Sequence, residues 1–257
     1  MKKYYYLIHL QYLGFRYHGW LKQPDVKTVE SMIAKTLKFI LGPVPFKILG
    51  ASRTDSKVSA NHTAFELFVN NPLSPDQLLT DFNLNLPNDI RILKIEEKDQ
   101  AFSIINAPRI KEYIYLFAFG EKFHPFCAHL MSSFQGQLDV DLMKQGALLF
   151  QGNHNFIQYC TQPKTGTVVE REILVSRIEE NRKYQASFFP EKSYAYTVRA
   201  RGFLRYQIRL MMGQLVSLGR DEINLNDIRQ SLKGKNQQPL KKIAPSSGLI
   251  LNKIEFD

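Results

Sequence analysis

The chain has 257 residues, of which 44% are hydrophobic and 12% are aromatic. This composition can form a packed core and excludes an intrinsically disordered protein. With 34 Lys and Arg against 24 Asp and Glu, the formal net charge is +10. Such a charge favours a polyanionic partner, with nucleic acid as the first candidate, although a soluble protein with a basic surface would show the same excess.

Cysteine usage and the first residues bear on location. Cys127 and Cys160 are the only cysteines and no CxxC pair exists, which predicts free thiols in a reducing, cytoplasmic setting. The candidate metal ligands are His124, Cys127, His129, His154 and Cys160. Their spacing is not that of a zinc finger or ribbon, so we predict no metal. The opening apolar run is too short and polar for a signal peptide or membrane span.

Hydrophobic periodicity predicts a compact α+β unit in the first half of the chain. The predicted elements are a strand at 3–12, a helix at 26–41, strands at 45–51 and 63–70, a helix at 75–84 and a strand at 89–97. Thr28 and Ser31 are candidate caps of the first helix, and Ser74-Pro75 could start the second. The order β-α-β-β-α-β is that of the ferredoxin-like unit.

The second half repeats that order loosely. Its predicted elements are a strand at 110–120, a helix at 140–152, strands at 170–180 and 193–202, helices at 203–219 and 225–234, and a strand at 248–256. We therefore predict two α+β halves, 1–105 and 106–257, each with a mixed or antiparallel sheet and helices on one face.

A charged segment directly precedes the predicted strand at 63–70, whose alternating residues indicate one buried face. Arg53 and Lys57 flank Asp55 at a spacing of two residues. Either cation could keep the carboxylate ionised, and an ionised aspartate can act as a nucleophile or a base. The ordinary alternative is an Asx turn, in which the carboxylate binds its own backbone.

Four arginines lie within eleven residues of the second half, at Arg199, Arg201, Arg205 and Arg209. The predicted helix at 203–219 places Arg205 and Arg209 on one face. Next to aromatic residues, they form a candidate surface for phosphates or nucleobases, with a solvated helix face as the alternative.

Two tyrosines, Tyr113 and Tyr115, alternate along the predicted strand at 110–120 and so point to one face. Each offers a ring for stacking and a hydroxyl that could lie near a reacting base. Ordinary aromatic packing in a sheet is the alternative.

Five segments, in order and nearly end to end, resemble the tRNA pseudouridine synthase A family. They are YLGFRYHGWLKQP (12–24) with TVESMIAKTL (28–37), GASRTDS (50–56), KEYIY (111–115), FLRYQIRLMMGQL (203–215) and APSSGLILNKIEF (244–256). The RTD triplet alone would be a weak signal, whereas five segments at suitable separations are a strong one.

This resemblance implies the pseudouridine synthase fold, with two ferredoxin-like halves that share a mixed or antiparallel central sheet and an active-site cleft between them. It also implies a homodimer that needs no cofactor or metal. The implied substrate is tRNA, at uridines 38–40 of the anticodon stem-loop. The reaction breaks the N1–C1′ bond, turns the ring and joins C5 to C1′, without any redox change. Whether the carboxylate attacks the sugar or the ring stays open.

The resemblance also implies residue roles. Asp55 would be the nucleophile, Arg209 would pair with it, and Tyr113 would pack on the uracil and could relay a proton. Arg53 would occupy the space left by the flipped uridine. The other residues expected to contact RNA are Lys57, Lys111, Arg199, Arg201 and Arg205.

Several positions differ from the family pattern. These are Leu13 for aspartate, Leu21 for glutamine, Ser52 and Lys57 for glycines, Ser59 for histidine, and Ile105 and Lys111 for arginines. Lys57 changes the backbone options beside the nucleophile. The second hypothesis is therefore an RNA-binding or chaperone-like relative that has kept the fold and lost turnover.

Overall fold

The computed structural model describes residues 3–256, and for Pro108 and Arg109 it describes the backbone only. Within this range the chain forms ten strands and five α-helices, which confirms the mixed α+β class. The chain divides into two compact units. The first extends to Arg109 and also includes the residues from Leu251 onward, and the second is Ile110–Ile250. No helix of the described range has both the length and the apolarity needed to cross a membrane.

The first unit has the ferredoxin-like arrangement that the order of its elements predicts. Its elements are β1 (Tyr4–Tyr12), α1 (Val29–Leu41), β2 (Phe46–Gly50), β3 (Ser59–Val69), α2 (Pro75–Asn85) and β4 (Ile90–Lys98). The strands lie in the order β4-β1-β3-β2, and all neighbouring pairs are antiparallel.

Local sequence signals begin both helices of this unit as predicted. The Thr28 hydroxyl accepts from Ser31 N and the Ser31 hydroxyl accepts from Thr28 N, which is a reciprocal capping box. Ser74 caps α2, and Pro75 is its first residue. Each cap satisfies backbone N–H groups that the first turn leaves unpaired.

Strand β3 differs from its prediction in length and burial. It begins at Ser59, and residues of both its faces are buried, including Phe65, Ala64 and Glu66. The prediction of a half-buried strand is therefore wrong. Phe65 contacts Phe82 of α2 on one face, whereas Ala64 packs with Ile104 on the other.

The second unit also combines helices with a sheet, and that sheet is mixed. The remaining elements of the chain are β5 (Pro108–Gly120), β6 (Ser132–Gln135), α3 (Val140–Leu148), β7 (Gly152–Asn155), β8 (Glu170–Glu180), β9 (Tyr194–Ala200), α4 (Gln207–Gly219), α5 (Leu225–Ser231) and β10 (Leu249–Phe256). Strands β5-β9-β8-β7 are antiparallel neighbours, and β6 pairs with β5 in parallel. Only the first two residues of β10 belong to this unit.

Helix α4 starts later than predicted, and this changes one inference. Tyr206 precedes it with a left-handed backbone (φ 63°), so the helix begins at Gln207. Arg205 therefore lies outside the helix, and the predicted helical face shared by Arg205 and Arg209 is wrong. The helix predicted at 140–152 likewise ends at Leu148 and is followed by β7.

Candidate functional site

The loop that carries Asp55 connects β2 to β3 in the first unit. Its backbone turns at Asp55, whose carbonyl accepts from Val58 N at 3.2 Å. Lys57, the third residue of this turn, has φ 67°, as a type II turn requires. Glycine adopts that conformation most easily, which explains the family pattern at this position. Arg53 is exposed and Asp55 is half-buried, so the loop presents its charges at the surface.

The opening motif, residues 12–24, packs against the loop that carries Asp55. A Cβ atom on Gly14 would overlap Val58 O, and one on Gly19, which has φ 87°, would overlap Thr54 O. Trp20 N donates to Thr54 O at 3.2 Å. These backbones approach so closely that a side chain at either glycine would push the Asp55 loop away.

Two buried hydroxyls add side-chain bonds to the same support. Tyr12 Oη lies 2.8 Å from Thr54 Oγ1, and Ser59 Oγ accepts from Gly14 N at 2.9 Å. Ser59 stands where the family pattern has histidine, and here it is 4% exposed. Ser59 therefore links the start of β3 to the backbone of Gly14.

An acid outside the loop anchors the opening segment. Asp89 accepts from Arg16 Nε and from Tyr17 Oη, both at 2.7 Å. Burial acts to raise the pKa of Asp89, but these two bonds outweigh it and hold the pKa below its ordinary value. Burial and the bond to Asp89 raise the pKa of Tyr17 to about 12. Asp89 is therefore ionised at neutral pH and fixes the turn that carries Gly14.

In the second unit, the two tyrosines of β5 are buried. The Tyr113 ring is 8% exposed and meets the Phe203 ring edge to face at 5.3 Å. Tyr115 is fully buried, and its hydroxyl donates to Pro245 O at 2.7 Å and lies 2.8 Å from Ser132 Oγ. Burial raises the pKa of Tyr115. Of the two, Tyr113 lies nearer the surface.

Arg209 is half-buried, and its side chain is oriented within the second unit. Its Nε donates to Ala244 O at 2.8 Å, and its Cζ lies 4.9 Å from the centre of the Tyr206 ring. Arg205 lies 5.4 Å from the same ring, and its Nη1 donates to Gln162 at 2.7 Å. Sequence reasoning missed Tyr206 as the ring that the two guanidinium groups share, because its left-handed backbone leaves no periodic signal.

The other predicted RNA contacts of the second unit differ in exposure. Arg199 Nε lies 3.5 Å from Glu112 Oε2 on neighbouring strands, and both residues are partly buried. Lys111 is also partly buried, and this burial lowers the pKa of its ammonium group. Arg201 follows β9 and is exposed, so it is the residue of this set that solvent reaches most easily.

The structure therefore places the predicted site residues in two groups. Arg53, Asp55 and Lys57 share one loop of the first unit, whereas Tyr113 and Arg209 belong to the second. The predicted pairing of Asp55 with Arg209 joins the two units and stays a prediction. Within residues 3–256, no group of three or more His, Cys, Asp or Glu side chains is placed to hold a metal ion.

A comparison with protein families gives one match. The family model described as tRNA pseudouridine synthase matches residues 147–257. This range holds β8, β9, α4 and β10, so it includes Arg209 and the Ala244 carbonyl that orients it.

Curated relatives match over nearly the whole length. The chain is 30% identical over 253 residues to tRNA pseudouridine synthase A of Dictyoglomus thermophilum, covering 97% of this chain and 98% of the relative. It is 31% identical to tRNA pseudouridine synthase A 2 of Desulfotalea psychrophila, with 98% of each covered, and 28% identical to the Phytoplasma mali enzyme over the full length of both. The chain belongs to the tRNA pseudouridine synthase A family, whose members are isomerases.

Proposed function

We propose that this chain converts uridine to pseudouridine in the anticodon stem-loop of tRNA, with Asp55 as the nucleophile. The observation that carries the proposal is the half-buried Asp55 on a hydrogen-bonded turn, with exposed Arg53 and Lys57 on either side. The N1–C1′ bond breaks and a C5–C1′ bond forms, while the proton on C5 leaves and N1 gains one. Substrate and product are isomers, so the proposed reaction needs no oxidant or reductant.

The proposal gives Tyr113 and Arg209 the roles that family likeness suggests. A base must leave its stack before its glycosidic bond can be exchanged, and an aromatic ring supplies a surface on which it can rest. Phe203 fixes the Tyr113 ring by an edge-to-face contact, which favours such a use. We assign Arg209 as the partner of the Asp55 carboxylate in an ion pair. The contacts of Arg209 with Ala244 and Tyr206 restrict the positions that its guanidinium can adopt.

RNA binding is assigned to cations of both units. They are Arg53, Lys57, Lys111, Arg199, Arg201 and Arg205. Phosphates attract such residues independently of sequence, and the net charge of +10 supports this assignment. We extend the proposal to a homodimer that acts in the cytoplasm without a cofactor. Both cysteines are buried free thiols, as suits a reducing compartment.

The nucleophile assignment is tested with Asp55→Asn, which keeps the shape of the side chain and removes its charge. Pseudouridine in tRNA is measured by primer extension after carbodiimide treatment, and tRNA affinity by filter binding. Asp55→Asn should bind tRNA and form no pseudouridine. Asp76→Asn is the matched control, because Asp76 is an exposed acid of the same unit in the first turn of α2.

Equal modification by wild type and Asp55→Asn would refute the nucleophile. Mapping the modified positions on several tRNAs tests whether the anticodon stem-loop is the site of modification. Pseudouridine confined to another arm would refute this site. If wild type binds tRNA with steep salt dependence and forms no pseudouridine, the chain is the RNA-binding relative of the second hypothesis.

A further inference from the structure

The three residues Arg53, Thr54 and Asp55 differ in exposure although they are consecutive. Arg53 is exposed, Thr54 is 9% exposed and Asp55 is half-buried. Thr54 is thus the one inward-facing side chain between two charged neighbours. Whatever holds Thr54 also sets the backbone from which Asp55 projects.

Thr54 is held by a buried side-chain bond to Tyr12. The two hydroxyl oxygens lie 2.8 Å apart, and Tyr12 is only 5% exposed at the end of β1. The backbone carbonyl of Thr54 accepts from Trp20 N, and Gly19 packs against it. The backbone contacts limit how closely the loop approaches the opening segment, whereas the hydroxyl pair fixes the rotation of Thr54.

We infer that Tyr12 and Thr54 are positioning residues for Asp55. The inference rests on the proposed role of Asp55 as the nucleophile. A reacting group must be held close to its productive geometry, since a displacement of about 1 Å can cost roughly a hundredfold in rate. A buried hydroxyl that loses its partner must find another, and the Asp55 loop would shift to satisfy it.

Strand β1 supplies a matched control at its other end. Tyr6 is 1% exposed, and its hydroxyl donates to Leu73 O at 3.1 Å and accepts from Leu73 N at 2.8 Å. Tyr6 and Tyr12 therefore lie on the same strand, are both buried, and each form a hydrogen bond to a loop through the hydroxyl. Of these two tyrosines, only Tyr12 forms its hydroxyl bond with the loop that carries Asp55.

The experiment compares Tyr12→Phe, Thr54→Val, Thr54→Ser and Tyr6→Phe with wild type. Tyr12→Phe and Thr54→Val should lower kcat at least about tenfold, while KM and tRNA affinity change less than about twofold. Thr54→Ser keeps the hydroxyl and should recover most of kcat. Tyr6→Phe should lower Tm about as much as Tyr12→Phe and leave kcat at the wild-type value.

Hydrogen exchange gives a readout that does not depend on turnover. Lys57 N–H donates to Tyr17 O and Val58 N–H donates to Asp55 O, so both amides report on the loop. Tyr12→Phe should speed their exchange, and Tyr6→Phe should not.

The inference fails if Tyr12→Phe and Thr54→Val keep kcat within about twofold, or if the loop amides exchange at the wild-type rate. It also fails if Tyr6→Phe lowers kcat as much as Tyr12→Phe, since the effect would then be one of general stability. Measuring Asp55→Asn in parallel distinguishes a failure of the positioning role from a failure of the proposed nucleophile. Retained turnover in Asp55→Asn refutes the nucleophile, whereas an inactive Asp55→Asn with an active Tyr12→Phe refutes the positioning role alone.

Discussion

At the scale of single residues, Glu66 is a carboxylate in the centre of β3. It is 1% exposed, and one of its oxygens accepts from Ile104 N at 3.3 Å. Its other oxygen, Oε1, has no hydrogen-bond partner among the residues that the structure describes. Burial raises the pKa of Glu66 above its ordinary 4.5, although the bond to Ile104 and the charge of Lys47 oppose this. The ionised form is therefore held in the core at a cost.

Glu66→Gln should raise the free energy of unfolding at pH 7, because burying a neutral amide costs less than burying an ionised carboxylate. A raised pKa means that the folded state binds the proton more tightly than the unfolded state does. Wild-type stability should thus decrease as pH rises from 4.5 through the raised pKa, and the variant should lack this decrease. Urea unfolding at several pH values measures both. Equal slopes in the two proteins would contradict the prediction.

Lys57 has a strained backbone, because it adopts the left-handed conformation at φ 67°. Lys57→Gly removes a backbone strain of about 1 kcal/mol from the folded state. Glycine also increases the conformational entropy of the unfolded chain, which lowers the free energy of unfolding by about as much. We expect its stability to stay within about 0.5 kcal/mol of wild type. Lys57→Val should lose roughly 1–2 kcal/mol, because a β-branched residue resists positive φ. Thermal unfolding distinguishes them, and similar values for both variants would argue against strain at Lys57.

At the scale of elements, a chain of polar groups crosses three strands of the first unit. His9 Nδ1 of β1 lies 2.9 Å from His62 Nε2 of β3, and His9 Nε2 lies 3.0 Å from Glu96 Oε1 of β4. Burial lowers the pKa of both histidines, and it outweighs the opposing effect of Glu96 on His9. The charge of Lys253 lowers the pKa of His62 further. Burial acts to raise the pKa of Glu96, but its lysine neighbours outweigh it and set the pKa near 2. At neutral pH a neutral His9 thus lies between a neutral His62 and the ionised Glu96 carboxylate.

Acid should loosen these strands. The unfolded histidines gain protons near 6.5 and the folded ones only below that value, so stability falls as pH drops below 6.5. Amides of β1 and β3 should lose protection between pH 7 and about pH 5.5, and the double variant His9→Gln/His62→Gln should lose less. Amides of β8 and β9 serve as the comparison within the same molecule. Equal protection of β1 and β3 at both pH values would refute this prediction.

Helix α4 illustrates how element boundaries escape sequence reasoning. Apolar spacing continues back to Phe203, and the pattern therefore predicted four additional helical residues. The chain instead turns at Tyr206, where Gln207 Oε1 accepts from Leu204 N at 2.8 Å. This bond satisfies a buried N–H that lies outside the helix. No local rule marks glutamine as such a partner, so the start of α4 depended on packing.

At the scale of the whole molecule, the charge of +10 predicts strongly salt-dependent tRNA binding. Arg201 is exposed, and Arg201→Ala should reduce the slope of log Kd against log salt by about 0.7–0.9 if it contacts one phosphate. Arg177→Ala is the control, because Arg177 is exposed in the same unit and already lies 2.8 Å from Glu179. Filter binding at several salt concentrations measures the slopes. A wild-type slope in Arg201→Ala would contradict the phosphate contact of Arg201.

The sequence by itself determined the α+β class, the ferredoxin-like order of the first unit, the caps at Thr28 and Ser74, and the position of Asp55 on a loop before β3. These features depend on neighbours a few residues apart, which leave a periodic or local pattern. Only the tertiary structure decided that both faces of β3 are buried, that residues from Leu251 onward join the first unit, and that Gly14, Gly19 and Tyr12 support the Asp55 loop. Those contacts join residues far apart in the chain, and such contacts leave no repeating pattern in a single sequence.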